Sequence, residues 1–194
     1  MNRTARQISM INPYYAKVMK KREESVENLR IVENFFIPMA DDLDRITELI
    51  RDCKTVVDIG SGYGLLINEL AKRNPEKIFL GIDTMYWDKK FQLPIAEKNV
   101  SFEFNGIEAM TSDRNPSKQE FDCVICCWMP DQSDWREMMS LIARKAVVLI
   151  LSKYFASGTM EVYTEGMAPF GFKLKKVWIS WNSKIEVWGK NAAK

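Results

Sequence analysis

The sequence predicts a doubly wound α/β fold, with a seven-stranded, mostly parallel sheet closed by an antiparallel C-terminal hairpin and preceded by N-terminal helices. Three observations lead there. From Thr55 onward, short β-branched or apolar runs alternate with segments of helical period. The first run ends in a glycine-rich turn, Gly60-Ser61-Gly62-Tyr63-Gly64. The chain finishes on two strand-like stretches flanking Asn182-Ser183, the pattern of a tight hairpin.

The elements follow in order. Val18, Val26, Leu29, Val32 and Phe36 recur near a helical period, which Pro38 interrupts. A second helix takes Pro38 into its first turn, sets Asp41 and Asp42 at its positive end, and buries Met39, Leu43, Ile46 and Ile50. Thr55–Ile59 reads as the first strand. After the glycine turn, Tyr63, Leu66, Ile67 and Leu70 share one helix face, stopped by Asn74-Pro75. Residues 77–83 read as the second strand, and alternating Val100, Phe102 and Phe104 as the third. Residues 121–129 are almost wholly apolar, as in a central strand covered on both faces. Residues 133–143 are helical in pattern and 145–151 form the fifth strand. Residues 172–181 and 184–189 make the hairpin. Residues 1–52 thus read as a helical extension on a ligand-binding domain of residues 53–194, the whole forming one unit.

Composition narrows the class. A chain of 194 residues, 46% hydrophobic and 28% charged, supports one domain with a full core. The longest aliphatic run, residues 147–151, is far below the ~20 residues that span a bilayer. No apolar leader follows Met1, and a cytoplasmic location is expected. The net charge of +2 is unevenly spread: Arg3, Arg6, Lys17, Lys20, Lys21 and Arg22 occur before any acid. Such an arm suits either an anionic partner such as RNA or a solvated helix face. Cys53, Cys123, Cys126 and Cys127 read as buried, reduced thiols. A zinc site is disfavoured: there is no histidine, and one strand cannot aim all its cysteines one way. No metal is expected, and oligomeric state is left open.

The chemistry concentrates in Val57-Asp58-Ile59-Gly60-Ser61-Gly62-Tyr63-Gly64. A ligand at the carboxyl end of the first strand approaches backbone closely, so side chains there must be absent. A nicotinamide or flavin fingerprint places its third glycine where Leu65 stands; here it is Gly64. The first strand ends with the acid Asp58, and the second ends at Asp83, placed to accept from both hydroxyls of a ribose. Acids at the loop's mouth repel a phosphate but suit a cationic ligand.

With these residues, the segment of about 53–190 resembles the class I S-adenosylmethionine-dependent methyltransferases, a Rossmann-like family whose first motif is E/D-x-G-x-G-x-G. Gly171-Phe172, opening the hairpin, is a common feature of that family. The resemblance implies S-adenosylmethionine as cofactor. It implies that Asp58 orients the methionine amino group through water, and that Gly60, Ser61, Gly62 and Gly64 form the loop against which the cofactor lies. It gives Asp83 the ribose and puts Thr84 and Met85 near the adenine. Ile107 stands where the family often has an acid for the adenine amine, with Glu108 one place later, a departure from the pattern. The tip of the fourth strand, Cys127-Trp128-Met129-Pro130, would face the transferable methyl, but matches neither D/N-P-P-Y/F/W nor a Pro-Cys nucleophile. Trp128 either stacks on the ligand or caps the core.

Methyl transfer from a sulfonium is a direct displacement in which positioning carries most of the catalysis. If a base is needed, the candidates are Asp131, Asp134, Tyr14 and Tyr15; the acids also suit helix caps and the tyrosines core or lid packing. The preferred reading is methylation of a small molecule, with the N-terminal helices as a lid. The alternatives are an RNA methyltransferase using the basic arm and the Lys173, Lys175, Lys176, Trp178 and Trp181 surface, and a protein methyltransferase or non-catalytic cofactor-binding scaffold.

Overall fold

Thr55–Ile59 forms β1 at the heart of the sheet, where its branched side chains are buried on both faces. The structure is a computed structural model and describes residue 36 and residues 38–62, 64–84, 97–107, 119–180 and 182–191. The predicted helix of residues 18–36 and the basic arm therefore lie outside the described residues, Phe36 excepted. The other elements are α1 (Ala40–Leu49), α2 (Leu65–Arg73), β2 (Ile78–Ile82), β3 (Val100–Glu103), β4 (Phe121–Cys127), α3 (Arg136–Ile142), β5 (Ala143–Ser152), α4 (Met160–Glu165), β6 (Phe172–Ile179) and β7 (Ser183–Lys190). The strands lie in the order β3-β2-β1-β4-β5-β7-β6. β1 to β5 run parallel, while β7 pairs antiparallel with both β5 and β6. This is the predicted seven-stranded sheet.

Strand alternation builds two apolar layers. Val57 and Ile59 of β1 join Val124, Cys126, Leu149, Met139 and Val162 beneath α3 and α4. Val56 joins Cys123, Ile125, Ile150, Leu43, Ile46 and Leu70 beneath α1 and α2. The same alternation divides the cysteines of β4: Cys123 and Cys127 face the α1 and α2 layer, and Cys126 the other. All four cysteines are free thiols.

Asp42 ties the ends of the described chain together. It accepts the Met39 N–H at 2.9 Å, closing the first turn of α1. It also accepts the Trp178 indole N–H at 2.8 Å and the Ser180 hydroxyl. This buried carboxylate therefore holds α1 against the far hairpin as well as complementing a helix dipole.

Several expected boundaries move. α1 begins after Met39, so Pro38 lies ahead of the helix rather than in its first turn, and Met39 is only half-buried. Phe104 lies beyond β3 and is 60% exposed. α3 starts at Arg136 and runs directly into β5, which opens two residues earlier than expected. The hairpin turn is closed by the Ser180 N–H on the Ser183 carbonyl, so β6 stops at Ile179 and Ser183 already belongs to β7; Trp181 lies outside the described residues. α4 and the 3₁₀ turn Ala168–Phe170 carry no periodic signal long enough to read from the chain.

Candidate functional site

β1 has β2 on one side and β4 on the other, with their crossover connections diverging, so the sheet's switch point opens at the end of β1. The loop there is folded back on β2. Gly60 and Ser61 donate their N–H groups to the Ile82 carbonyl at 2.8 and 3.0 Å, and Gly62 donates to Asp83 Oδ2 at 2.8 Å. Gly60, Gly62 and Gly64 all adopt left-handed backbone, with φ of 73°, 53° and 68°. At Gly64 a Cβ would lie 2.4 Å from the Phe102 ring of β3, so the third glycine lets α2 start hard against the sheet. The successive N–H groups of Gly60, Ser61 and Gly62 are thus taken by β2 and the Asp83 that follows it, so these three form no nest for a phosphate.

Asp58 sits under this loop with 1% of its surface exposed. Its Oδ1 has no hydrogen-bond partner, nor has Ser61 Oγ. Among the described residues a third such buried atom, Thr159 Oγ1, lies elsewhere in the chain, so the glycine motif holds two of the three. Burial pushes the Asp58 carboxyl up to about 8, with the charge of Asp83 adding to it. Burial and the Asp58 charge likewise raise the thiols of Cys126 and Cys127.

Beyond β4 the structure separates two tryptophans. Trp128 donates its backbone N–H to Ile150 at 2.9 Å and its indole N–H to Ser183 Oγ at 2.8 Å. Ser183 opens β7, two strands from β4 on the side away from β1, so Trp128 is turned from the glycine loop and caps the sheet. Trp135 takes the position beside the loop. Its ring Cζ3 stands 3.4 Å from where a Cβ on Gly60 would be, and its N–H rests on Met129 Sδ at 3.2 Å. Helical patterning over residues 133–143 conceals this residue in the sequence, because it assigns Trp135 to a helix that actually begins one residue later.

The remaining candidates fall as follows. Asp83 is half-buried at the end of β2 and Thr84 beside it is exposed; Met85 lies outside the described residues. Ile107 is buried in the α3 and α4 layer and Glu108 lies outside the described residues. Cys127 is half-buried at the tip of β4. Asp131 is exposed on the following loop, accepting from Gln132 at 3.2 Å. Asp134 grips the buried Arg136 through both oxygens, at 2.9 and 2.7 Å, and that bond holds its carboxyl below the usual range. It is therefore a structural partner rather than a base. Tyr14 and Tyr15 lie outside the described residues.

Strain marks the same end of the sheet. Among the described residues the non-glycine positions with positive φ are Trp128, Gln132 and Phe155, all in the loops after β4 and β5. Such conformations cost on the order of 1–3 kcal/mol each and cluster where ligands are held.

The architecture is shared with known enzymes. Human N-acetylserotonin methyltransferase in complex with SAM superposes with a TM-score of 0.55 at 14% identity, over 77% of this chain and 55% of that one. The N-terminal domain of EvdMO1, solved in the presence of SAH and D-fucose, gives 0.54 at 15% identity, over 79% and 82%. The N-methyltransferase NodS from Bradyrhizobium japonicum gives 0.50 at 11%, over 78% and 94%.

The chain has the class I methyltransferase fold.

It spans little more than half the length of the first of these relatives. No protein-family model matches it, and no curated protein matches it by sequence. Within this methyltransferase fold, Asp58 and the glycine loop lie at the end of β1, beside the switch point between β1 and β4, and Asp83 follows the neighbouring β2. No helix among the described residues is long and apolar enough to cross a membrane.

Proposed function

We propose that this chain is an S-adenosylmethionine-dependent methyltransferase acting on a small molecule by direct displacement. The observation that carries the reading is the buried Asp58, its Oδ1 unpartnered, beneath a glycine loop whose N–H groups are already committed to β2 and Asp83. A dinucleotide needs those N–H groups for its phosphates. A cofactor with a cationic amino group needs the carboxylate instead, and Asp58 Oδ1 and Ser61 Oγ are two of the three buried side-chain polar atoms among the described residues that lack a partner.

In this reading Asp58 orients the amino group, directly or through water, and Gly60, Ser61, Gly62 and Gly64 provide the surface on which the cofactor lies. Asp83 holds the ribose hydroxyls, one of its oxygens being anchored by Gly62. Thr84 lies toward the adenine, and the family resemblance gives Met85, Ile107 and Glu108 to the same end of the cofactor. When bound, the cofactor supplies a methyl group on a positively charged sulfur. The chain's own contribution is positioning and exclusion of water, worth several kcal/mol of barrier. Cys127 at the tip of β4 lies on the side where the acceptor enters, with Trp128 capping the sheet beside it, and Asp131 is the exposed acid available to take a proton from the acceptor. N-acetylserotonin and D-fucose in the names of the solved relatives favour a small acceptor.

A second reading, RNA as acceptor, draws on Lys173, Lys175 and Lys176, all exposed along the edge strand β6. Incubation with methyl-labelled cofactor and parallel panels of metabolites and RNAs decides between them. The proposal expects label in the metabolite fraction; transfer to RNA alone supports the second reading, and transfer to neither with cofactor bound leaves a protein acceptor or a non-catalytic scaffold.

A further inference from the structure

Among the described residues β6 is the last strand of the sheet, paired with β7 on one side and with no strand on the other. Residues 173–177 and Ile179 are all exposed. The register with β7 sorts their side chains by face. Lys173 stands opposite Gly189, and Lys176 opposite Val187, whose side chain joins the α1 and α2 layer. Between them the register shifts at Lys175, whose stem lies over Gly189, 2.6 Å from where a Cβ there would be. This bulge turns Lys175 and Lys176 to the face that already carries Lys173. Leu174, Val177 and Ile179 fall on the opposite face, beside Trp188, Glu186 and Lys184, and are 43%, 49% and 62% exposed. The strand therefore presents cations on one face, aliphatic side chains on the other and an unpaired backbone edge between them. None of the three lysines forms an ion pair with a described residue.

Charge and shape choose the occupant of this edge. A second copy pairing antiparallel along β6 would gather its lysines on the face that already holds three, and edge lysines and bulges deter such pairing. Single-stranded RNA needs ring faces on which bases stack. The exposed apolar residues here are aliphatic, and the ring of the half-buried Trp178 is covered by the Arg45 guanidinium at 5.7 Å, its N–H held by Asp42. An extended peptide asks for neither stacking nor like charge. We propose that β6 is a docking edge for an extended, acidic segment of a partner protein. The segment joins the sheet as a further strand, its carboxylates over Lys173, Lys175 and Lys176 and its apolar side chains beside Leu174, Val177 and Ile179. Backbone hydrogen bonds supply affinity, and the two faces supply specificity for alternating acidic and apolar residues.

The test uses the full chain and a fluorescein-labelled synthetic peptide as long as β6 that alternates Glu and Val, with a Lys and Val peptide as control. Fluorescence anisotropy should show saturable binding of the acidic peptide, weakened by salt, and none of the control. Combined Lys173→Glu, Lys175→Glu and Lys176→Glu should weaken it by roughly tenfold or more, since like charges then meet. Val177→Thr with Ile179→Thr leaves the charges in place and should weaken it to a smaller degree, which provides a second reading if the charge-reversed chain does not fold. Hydrogen exchange of the β6 amides should slow when the peptide is bound, a signature that loose ionic attraction lacks. No saturable binding, binding undiminished by both sets of substitutions, or binding without protection of β6 overturns the proposal. So does tighter binding of oligouridine, which assigns the edge to RNA, or a dimer in sedimentation that protects the β6 amides, which assigns it to a second copy.

Discussion

Replacing Asp58 by Asn keeps the shape of the buried group and removes its titration. With a carboxyl raised to about 8, Asp58 in the free protein is mostly protonated at neutral pH. A ligand ammonium requires the ionised form, so binding releases a proton. Affinity of native protein for S-adenosylhomocysteine should therefore rise as pH increases from about 6 to about 8, by up to tenfold per unit, and level off above that. The variant should show little of this slope. At about pH 8.5 it should bind 10- to 100-fold more weakly, the scale of a charge-assisted hydrogen bond, and at about pH 6 the gap should nearly close. Stability of the free protein runs the other way. A carboxyl raised on folding contributes stability that is complete below its ordinary value of 3.8 and is lost as pH climbs through about 8. Asn cannot ionise, so the variant should gain on native protein by up to a few kcal/mol near pH 8.5. Calorimetry and thermal melting across that range read both effects. A native affinity flat in pH, or a slope retained by Asp58→Asn, would refute the placing of a ligand cation on this carboxylate.

Three further substitutions probe the same framework. Asp83→Ala should weaken S-adenosylhomocysteine by about 1.5–3 kcal/mol while leaving a folded protein, since the position ends a strand and is half-buried; an undiminished ligand-induced shift in melting temperature would move the ribose elsewhere. Gly64→Ala meets both a φ of 68° and the Phe102 ring, and should destabilise by roughly 2–5 kcal/mol in denaturant titration; a loss under about 1 kcal/mol would contradict the close packing of α2 on β3. Asp42→Ala strands the Trp178 indole N–H and the Ser180 hydroxyl, so melting should fall by roughly 6–12 °C for about 3 kcal/mol, with cofactor affinity little changed.

Local chemistry was the readable part of this chain. The order of elements from Thr55 onward, the parallel sheet and its antiparallel close follow from short-range periodicity, and the structure agrees. The glycine loop is legible because backbone left-handedness and close approach are written in glycine itself. Long-range pairings left no such mark. Nothing near Asp42 in the sequence announces Trp178, 136 residues away, so its carboxylate read only as a partner for the helix dipole. Trp135 is hidden in the sequence by a helical pattern, and for Trp128 the sequence leaves stacking on the ligand and capping the core both open; the indole bond to Ser183 favours the cap. Asp134 and Asp131 look alike as acids after a central strand; only the Arg136 fork separates a locked carboxylate from an exposed one.

The central claim, that the cleft at β1 takes S-adenosylmethionine rather than a dinucleotide, is tested most directly by calorimetric titration of the full chain with S-adenosylhomocysteine and, separately, with NAD. Saturable binding of S-adenosylhomocysteine with no measurable heat from NAD is the expected result. Tight binding of NAD with no response to S-adenosylhomocysteine would contradict it.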